Sequence, residues 1–207
     1  MGNRFDTGRL EAFSDGVFAI AITLLVLEIS VPEDAFSNLW RGIADQWPSY
    51  LAYATSFLTI GGFWLAHHGV FRRTAYADLR LMLANLLLLM VTSFLPFPTK
   101  LVAEAIESES AERAAVIFYG VTLFVASALV TAMARYVAER PELMRGPVQD
   151  ELHALTRSTA PSLAFYGGIL VLAVLAPQVA AFGFLAIAVL ALVRARGEPE
   201  AGEQPAG

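Results

Sequence analysis

The chain contains no cysteine. Disulfide frameworks and thiolate metal sites are therefore excluded. Lysine is nearly missing as well: thirteen of the 14 Lys and Arg residues are arginine. Charge of either sign is scarce, at 16% of residues, and the formal net charge is −5. Soluble domains carry about 25% charged residues. A sparse, acidic balance argues against a nucleic-acid partner. Enzyme signatures are missing too. There is no H-E-x-x-H, no G-x-S-x-G and no P-loop. His67 and His68 are adjacent, so their rings diverge by ~100° on a helix and do not jointly bind one metal. No enzyme, metal or cofactor is expected. The potassium-filter sequence T-V-G-Y-G is also absent, which excludes a conventional carbonyl-lined filter.

What is abundant is apolar surface, at 57% of 207 residues. One core of this size cannot hide that much, so lipid is the expected solvent. Six apolar segments stand out: Leu10–Val31, Pro48–Phe71, Leu79–Leu95, Ala114–Val137, Thr159–Ala176 and Val179–Val193. Pro32 ends the first, and the Pro96 and Pro98 pair closes the third. Trp47, Tyr50 and Tyr53 open the second like an interfacial belt. The sixth has 15 residues, which span roughly 22 Å against a ~30 Å hydrocarbon core. A tight hairpin at Pro177-Gln178 makes it a full span; a re-entrant pair is the runner-up. The first segment carries Glu11 and Asp15 and has no small-x-small cleavage site, so it is expected to be a retained helix rather than a signal peptide. The expectation is an all-α integral membrane protein with one membrane domain over residues 1–196. Residues 197–207, rich in Glu, Pro, Ala and Gly, are expected to be a disordered tail.

Loop charges test this layout. Arg4, Arg9, Arg72, Arg73, Arg80, Arg135, Arg140, Arg145, Arg157, Arg194 and Arg196 fall on one set of alternate hydrophilic pieces. The other set holds Arg41, Lys100 and Arg113. Eleven against three predicts six spans with both termini in the cytoplasm, in a multi-pass protein of the cell membrane. The opposite loops lean acidic, with Glu33, Asp34 and Asp45 in one and Glu104, Glu107, Glu109 and Glu112 in another. Such a surface concentrates cations, or is simply a solvated helix-end face.

Polar residues inside a membrane are costly and invite functional readings. Arg9, Glu11, Ser14 and Asp15 crowd the start of the first helix, and His67, His68 and Asn85 lie at similar depth. An Asp pairs with Arg or His more cheaply than it sits alone, so an Arg9–Asp15–His network joining the first two helices is expected. It reads as a polar clamp, or as a proton relay or ion site. At ~100° per residue, Gly16, Ile20, Thr23, Leu24 and Leu27 share one stripe, and Asp15 lies on the far side. The stripe itself reads as lipid contact or a helix seam.

These residues also form recognisable motifs. Arg9 through Phe13-Ser14-Asp15-Gly16 resembles the R-x-x-x-F-S-D signature of the transmembrane protein 175 family of potassium-permeable channels. Phe63-Trp64-Leu65-Ala66-His67-His68, the Asn85 leucine run and Phe94-Leu95-Pro96-Phe97-Pro98-Thr99 follow in order. The resemblance covers Arg9 to Thr99 closely and the rest by topology. It implies a homotetramer of six-helix subunits, unrelated to the usual potassium-channel fold, with the first helix of each subunit lining the pore. Carried onto this chain, Ile20, Leu24 and Leu27 become hydrophobic rings and Thr23 a polar layer. Arg9, Ser14, Asp15, His67, His68 and Asn85 become a structural polar network. The implied partners are three further copies, the lipid bilayer, and potassium and other monovalent cations. A proton-coupled or cation carrier built on Arg9, Asp15 and His67 is the alternative.

Overall fold

The computed structural model describes residues 5–105, 109–145 and 163–195. Helix α1 (Thr7–Leu24) starts where the Asp6 side chain accepts from the Gly8 N–H at 2.9 Å, filling an otherwise unpaired donor. It tightens into a 3₁₀ turn, Leu25–Glu28, ahead of Pro32. A second 3₁₀ turn (Glu33–Asn38) and short α2 (Leu39–Asp45) lead to α3, Trp47–Arg72. Pro48 sits in the first turn of α3, where its missing N–H costs nothing. Next come α4 (Leu79–Phe94), α5 (Pro96–Glu104), α6 (Glu109–Ala138), α7 (Leu163–Leu175) and α8 (Pro177–Ala195).

Two boundaries differ from the sequence expectation. Pro96 does not end the third apolar segment. It opens α5, so Leu79–Glu104 forms one apolar helical unit of 26 residues with a single break. A proline is tolerated in a first turn, and the helix restarts there. The sixth segment is longer than expected: α8 starts at Pro177 and has 19 residues, roughly 28 Å of helix. The expected start of the fifth segment at Thr159, the tail 197–207 and the charges Arg4, Glu107, Arg157 and Arg196 lie outside the described residues.

By length and composition, Thr7–Glu28, Leu79–Glu104 and Ser110–Ala138 suffice to cross a membrane. The helices pack through seams repeating every three to four residues. Ser14, Phe18 and Ala21 are buried on α1, and Leu25 on the 3₁₀ turn that continues it. Ser56, Ile60, Phe63, His67 and Val70 are buried on α3, and Leu81, Asn85, Leu88 and Thr92 on α4. This spacing lets one face of each helix meet its neighbours. The opposite face of α4, with Leu83, Leu87 and Met90, is exposed and apolar, as a lipid-facing surface is. Gly120 lets α6 close on α8: a Cβ there would stand 2.8 Å from the Phe184 ring.

Four helix ends meet at one end of the molecule. A two-residue strand β1 (Phe5–Asp6) pairs antiparallel with β2 (Tyr76–Ala77). The loop before β2 bonds the segment after α6, through Ala75 N to Leu143 O at 2.7 Å and Arg145 N to Arg73 O at 2.8 Å. Arg145 Nη2 also donates to Thr7 Oγ1 at 3.2 Å. The start of α1, the end of α3, the start of α4 and the end of α6 are thereby tied together. Asp78 caps α4 by accepting from Leu81 N at 2.9 Å, and it accepts the Tyr136 hydroxyl proton from α6. Partial burial pushes the Asp78 carboxyl up. The Tyr136 and Leu81 hydrogen bonds and the Arg140 and Arg80 charges outweigh that and hold it below the usual carboxylate range.

Candidate functional site

Helix α1 has two faces with different commitments. The inner one carries a directed hydrogen-bond chain across three helices. Ser14 Oγ donates to Leu10 O at 2.8 Å. With its proton spent, Ser14 accepts from Asn85 Nδ2 at 2.9 Å. The Asn85 amide is then oriented with Oδ1 toward His67 Nε2, 2.8 Å away. A carbonyl oxygen only accepts, so His67 carries its proton on Nε2 and donates. All three residues are buried. The His67 ring is wedged between Phe18, at 5.4 Å, and Phe71, at 4.5 Å, centroid to centroid. A buried polar chain with every member paired fixes helix rotation, because any slip strands a donor.

Asp15 takes a different partner from the expected one. Its Oδ1 accepts from Trp64 Nε1 at 2.8 Å, in an exposed setting. The Trp64 ring stacks on His68 at 5.9 Å and 23°. Arg9 is exposed, and no ion pair or hydrogen bond joins it to another described residue. The Arg9–Asp15–His67 linkage is therefore not formed. The reason is angular: Ser14, one residue and ~100° away, faces the seam in place of Asp15. Six polar residues thus divide into a buried trio (Ser14, His67, Asn85), a more open group in which exposed Asp15 and Trp64 meet half-buried His68, and Arg9, which pairs with none of the other described residues. That separation leaves the carrier alternative with less support than the channel reading.

The outer face of α1 is apolar and uncovered. Ile20 is 60% exposed, Leu24 40% and Leu27 72%. Thr23 is exposed between them, its hydroxyl donating to Ile20 O at 2.9 Å, which leaves oxygen lone pairs outward. Space beside Gly16 is open. Only 22% of the α1 span is buried, against 44% and 56% for the other two long apolar spans. The helix is therefore held on one side and unfilled on the other. At its far end Glu28 meets Lys100 at 3.7 Å, and Lys100 also reaches Glu104 at 4.0 Å. The end of α1 is thereby moored to α5.

Sequence reasoning missed Trp64 as the partner of Asp15 and the Ser56–Thr99–Tyr119 hydroxyl cluster. Trp64 and His68 stand four apart, a spacing that signals a shared face. Nothing local signals the cluster, whose members are 43 and 63 residues from Ser56. The acidic outer-loop expectation changes at Glu112, which is buried. Among the described residues no group of three or more His, Cys, Asp or Glu is arranged to hold a metal ion.

Comparison with known proteins agrees with these features. Residues 9–96 match the family model described as endosomal/lysosomal potassium channel TMEM175. A potassium channel of Streptomyces collinus is 50% identical over 119 residues, 57% of this chain and 58% of that protein. A potassium channel of Chamaesiphon minutus matches at 48% over 61% of its length. The chain thus spans about three fifths of these two relatives. A potassium channel of a Chryseobacterium strain is 35% identical over 77% of this chain and 78% of that one. Among solved structures, the crystal structure of a lysosomal potassium-selective channel TMEM175 homolog from Chamaesiphon minutus superposes with a TM-score of 0.83 at 34% identity. It covers 92% of this chain and 98% of that one. With the motif-bearing helices, the helical membrane fold and these relatives in agreement, the chain belongs to the TMEM175 family.

Proposed function

We propose that the chain is one subunit of a potassium-permeable cation channel made of four identical copies, with α1 of each copy lining the pore. The observation that carries this reading is the α1 outer face. It is apolar and unfilled, on the helix that bears the family signature and is moored at both ends. The relatives named as potassium channels support the permeant ion. Six spans per subunit, both termini in the cytoplasm and residence in the cell membrane complete the proposal, on the loop-charge asymmetry.

The mechanism follows from side-chain chemistry. Four Ile20 side chains converge on an axis and resist a hydrated ion by dewetting. An ion passing them sheds part of its water. Sodium holds water more tightly than potassium, so potassium passes more readily, with modest selectivity. Thr23 oxygens, turned outward, replace some of the lost water. Leu24 and Leu27 extend the hydrophobic constriction. The Ser14–Asn85–His67 chain holds α1 at the rotation that presents this face.

Purified protein in proteoliposomes is expected to pass potassium faster than sodium and to exclude chloride. Recordings in asymmetric potassium and sodium are expected to show single-channel steps. Equal potassium and chloride fluxes, or saturable pH-coupled transport without steps, refute the channel reading.

A further inference from the structure

Helix α2 (Leu39–Asp45) follows the far end of α1 in sequence and stops one residue before α3. It lies at the opposite end of the bundle from the β1–β2 junction, because α1 starts at that junction and runs away from it. Asn38 caps it by accepting from Arg41 N at 3.4 Å. The Tyr50 hydroxyl, in the first turn of α3, donates to Ile43 O at 3.0 Å. The short helix is thus a fixed element, tied to the start of α3.

Its surface is divided three ways. With Leu39 set at zero, Ile43 lies near ~40° and Trp40 near ~100°. Arg41 and Asp45 lie across from them, near ~200° and ~240°, and their exposed side chains pair at 3.8 Å. Gly42, near ~300°, is buried. One flank therefore meets protein, one side is charged, and the side facing away from the charges is apolar and open. Trp40 is 84% exposed there, with Leu39 exposed beside it and Phe36 exposed in the 3₁₀ turn just before.

What surrounds this end of the bundle identifies the medium on the open side. Trp47 and Tyr50, exposed, begin α3, and Val179 and Phe182, exposed, begin α8. Trp47, Pro48, Ala181 and Phe182 line one cavity, so the two helix starts stand side by side. Aromatic residues at the ends of apolar helices mark the edge of the bilayer. Helix α2, joined to α3 through Gln46 alone, is held at that edge. Water is a poor match for an open indole and leucine. A second copy is a poor match in charge, since this stretch carries Glu33, Asp34 and Asp45 against Arg41, and like charges repel on approach.

We propose that α2 is an interfacial helix, lying along the bilayer surface with Trp40 and Leu39 among the upper acyl chains and the Arg41–Asp45 pair in water. Its partner is the lipid, engaged by apolar contact rather than by headgroup charge. A helix divided into apolar and charged sides along its length settles in this way. The segment linking α1 to α3 is thereby fixed in height.

The chain has no cysteine, so a nitroxide on one introduced thiol reports one position. The full chain in phosphatidylcholine nanodiscs carries Leu39→Cys, Trp40→Cys, Arg41→Cys or Asp45→Cys, one at a time. Collisions with oxygen, which concentrates among acyl chains, are compared with collisions with a neutral nickel chelate, which stays in water. Oxygen is expected to dominate for Cys at 39 and 40, and the chelate for Cys at 41 and 45. Each labelled chain is first checked for the parent's elution volume. Leu39→Cys keeps Trp40, so it reports even where Trp40→Cys misfolds. Chelate dominance at every position puts α2 in water and overturns the proposal. Exclusion of both reagents at 39 and 40, with spin–spin broadening that unlabelled chains relieve on dilution, gives the face to a second copy and overturns it as well.

Discussion

Asn85 carries the largest consequence of any single residue in the α1–α3–α4 seam. It accepts from His67 and donates to Ser14, and among the described residues neither makes another side-chain to side-chain hydrogen bond. Asn85→Leu keeps the volume but strands the His67 N–H in an apolar setting. The expected loss is about 1–3 kcal/mol, read as a lower unfolding midpoint in a denaturant titration in micelles. His67→Gln in the parent chain keeps a donor for Asn85 Oδ1 and should cost less than Asn85→Leu. Arg9→Gln, with no described partner to lose, should leave the midpoint unchanged. On the outer face the expected effect is functional instead. Ile20→Asn wets the proposed constriction and should raise unitary conductance and lower discrimination between potassium and sodium, with the unfolding midpoint held. An unchanged current would reject Ile20 as the narrow point. The six polar residues were legible in the sequence because each is an anomaly in an apolar run. Their pairing was not. Pairing depends on helix rotation, and the ~100° between Ser14 and Asp15 decides which one enters the seam.

At the scale of elements, apolar runs disclosed most of the helices, but proline was misread. Pro96 and Pro177 were taken as stops or turn residues, yet both occupy first turns. Composition alone does not separate a proline that ends a helix from one that begins the next. The tie between helix ends was likewise invisible, since it rests on two-residue strands and on loop carbonyls. That junction has a pH dependence with a definite sign. The Asp78 carboxyl is held below its ordinary value, first against burial, by Tyr136, Leu81 and two arginines. Its contribution is therefore present above the unfolded carboxylate value of about 4 and is lost as pH falls through the folded one. Amide protection factors at Thr74–Leu81, with the intrinsic pH dependence of exchange divided out, should fall on acidification below about pH 4. Asp78→Asn, which keeps an oxygen for the Leu81 cap, should flatten that response. Between α6 and α8 the close approach at Gly120 is the sensitive point. Gly120→Val drives a side chain into Phe184 and Leu170 and should cost about 1–3 kcal/mol.

For the whole molecule, the question is what covers the outer face of α1. Lipid and three sister copies are both compatible with an exposed apolar stripe in one chain. The resemblance of motifs, rather than the stripe itself, led from the sequence to a pore. The missing cysteines make the two coverings separable, because any introduced thiol is the only one present. Leu27→Cys places it on the outer face near the Glu28 end of α1, at a position 72% exposed. Met90→Cys places it on α4 at a position 61% exposed. If four α1 helices surround a water-filled path, a charged methanethiosulfonate reaches Cys at 27 from the aqueous side and reduces potassium flux. Mild oxidation then joins pairs of subunits through that position. Cys at 90, facing lipid, should react slowly with the charged reagent, and its modification should leave flux unchanged. If both positions stay unreactive, or only position 90 crosslinks, the α1 stripe faces lipid, and the pore is built from another surface of the bundle.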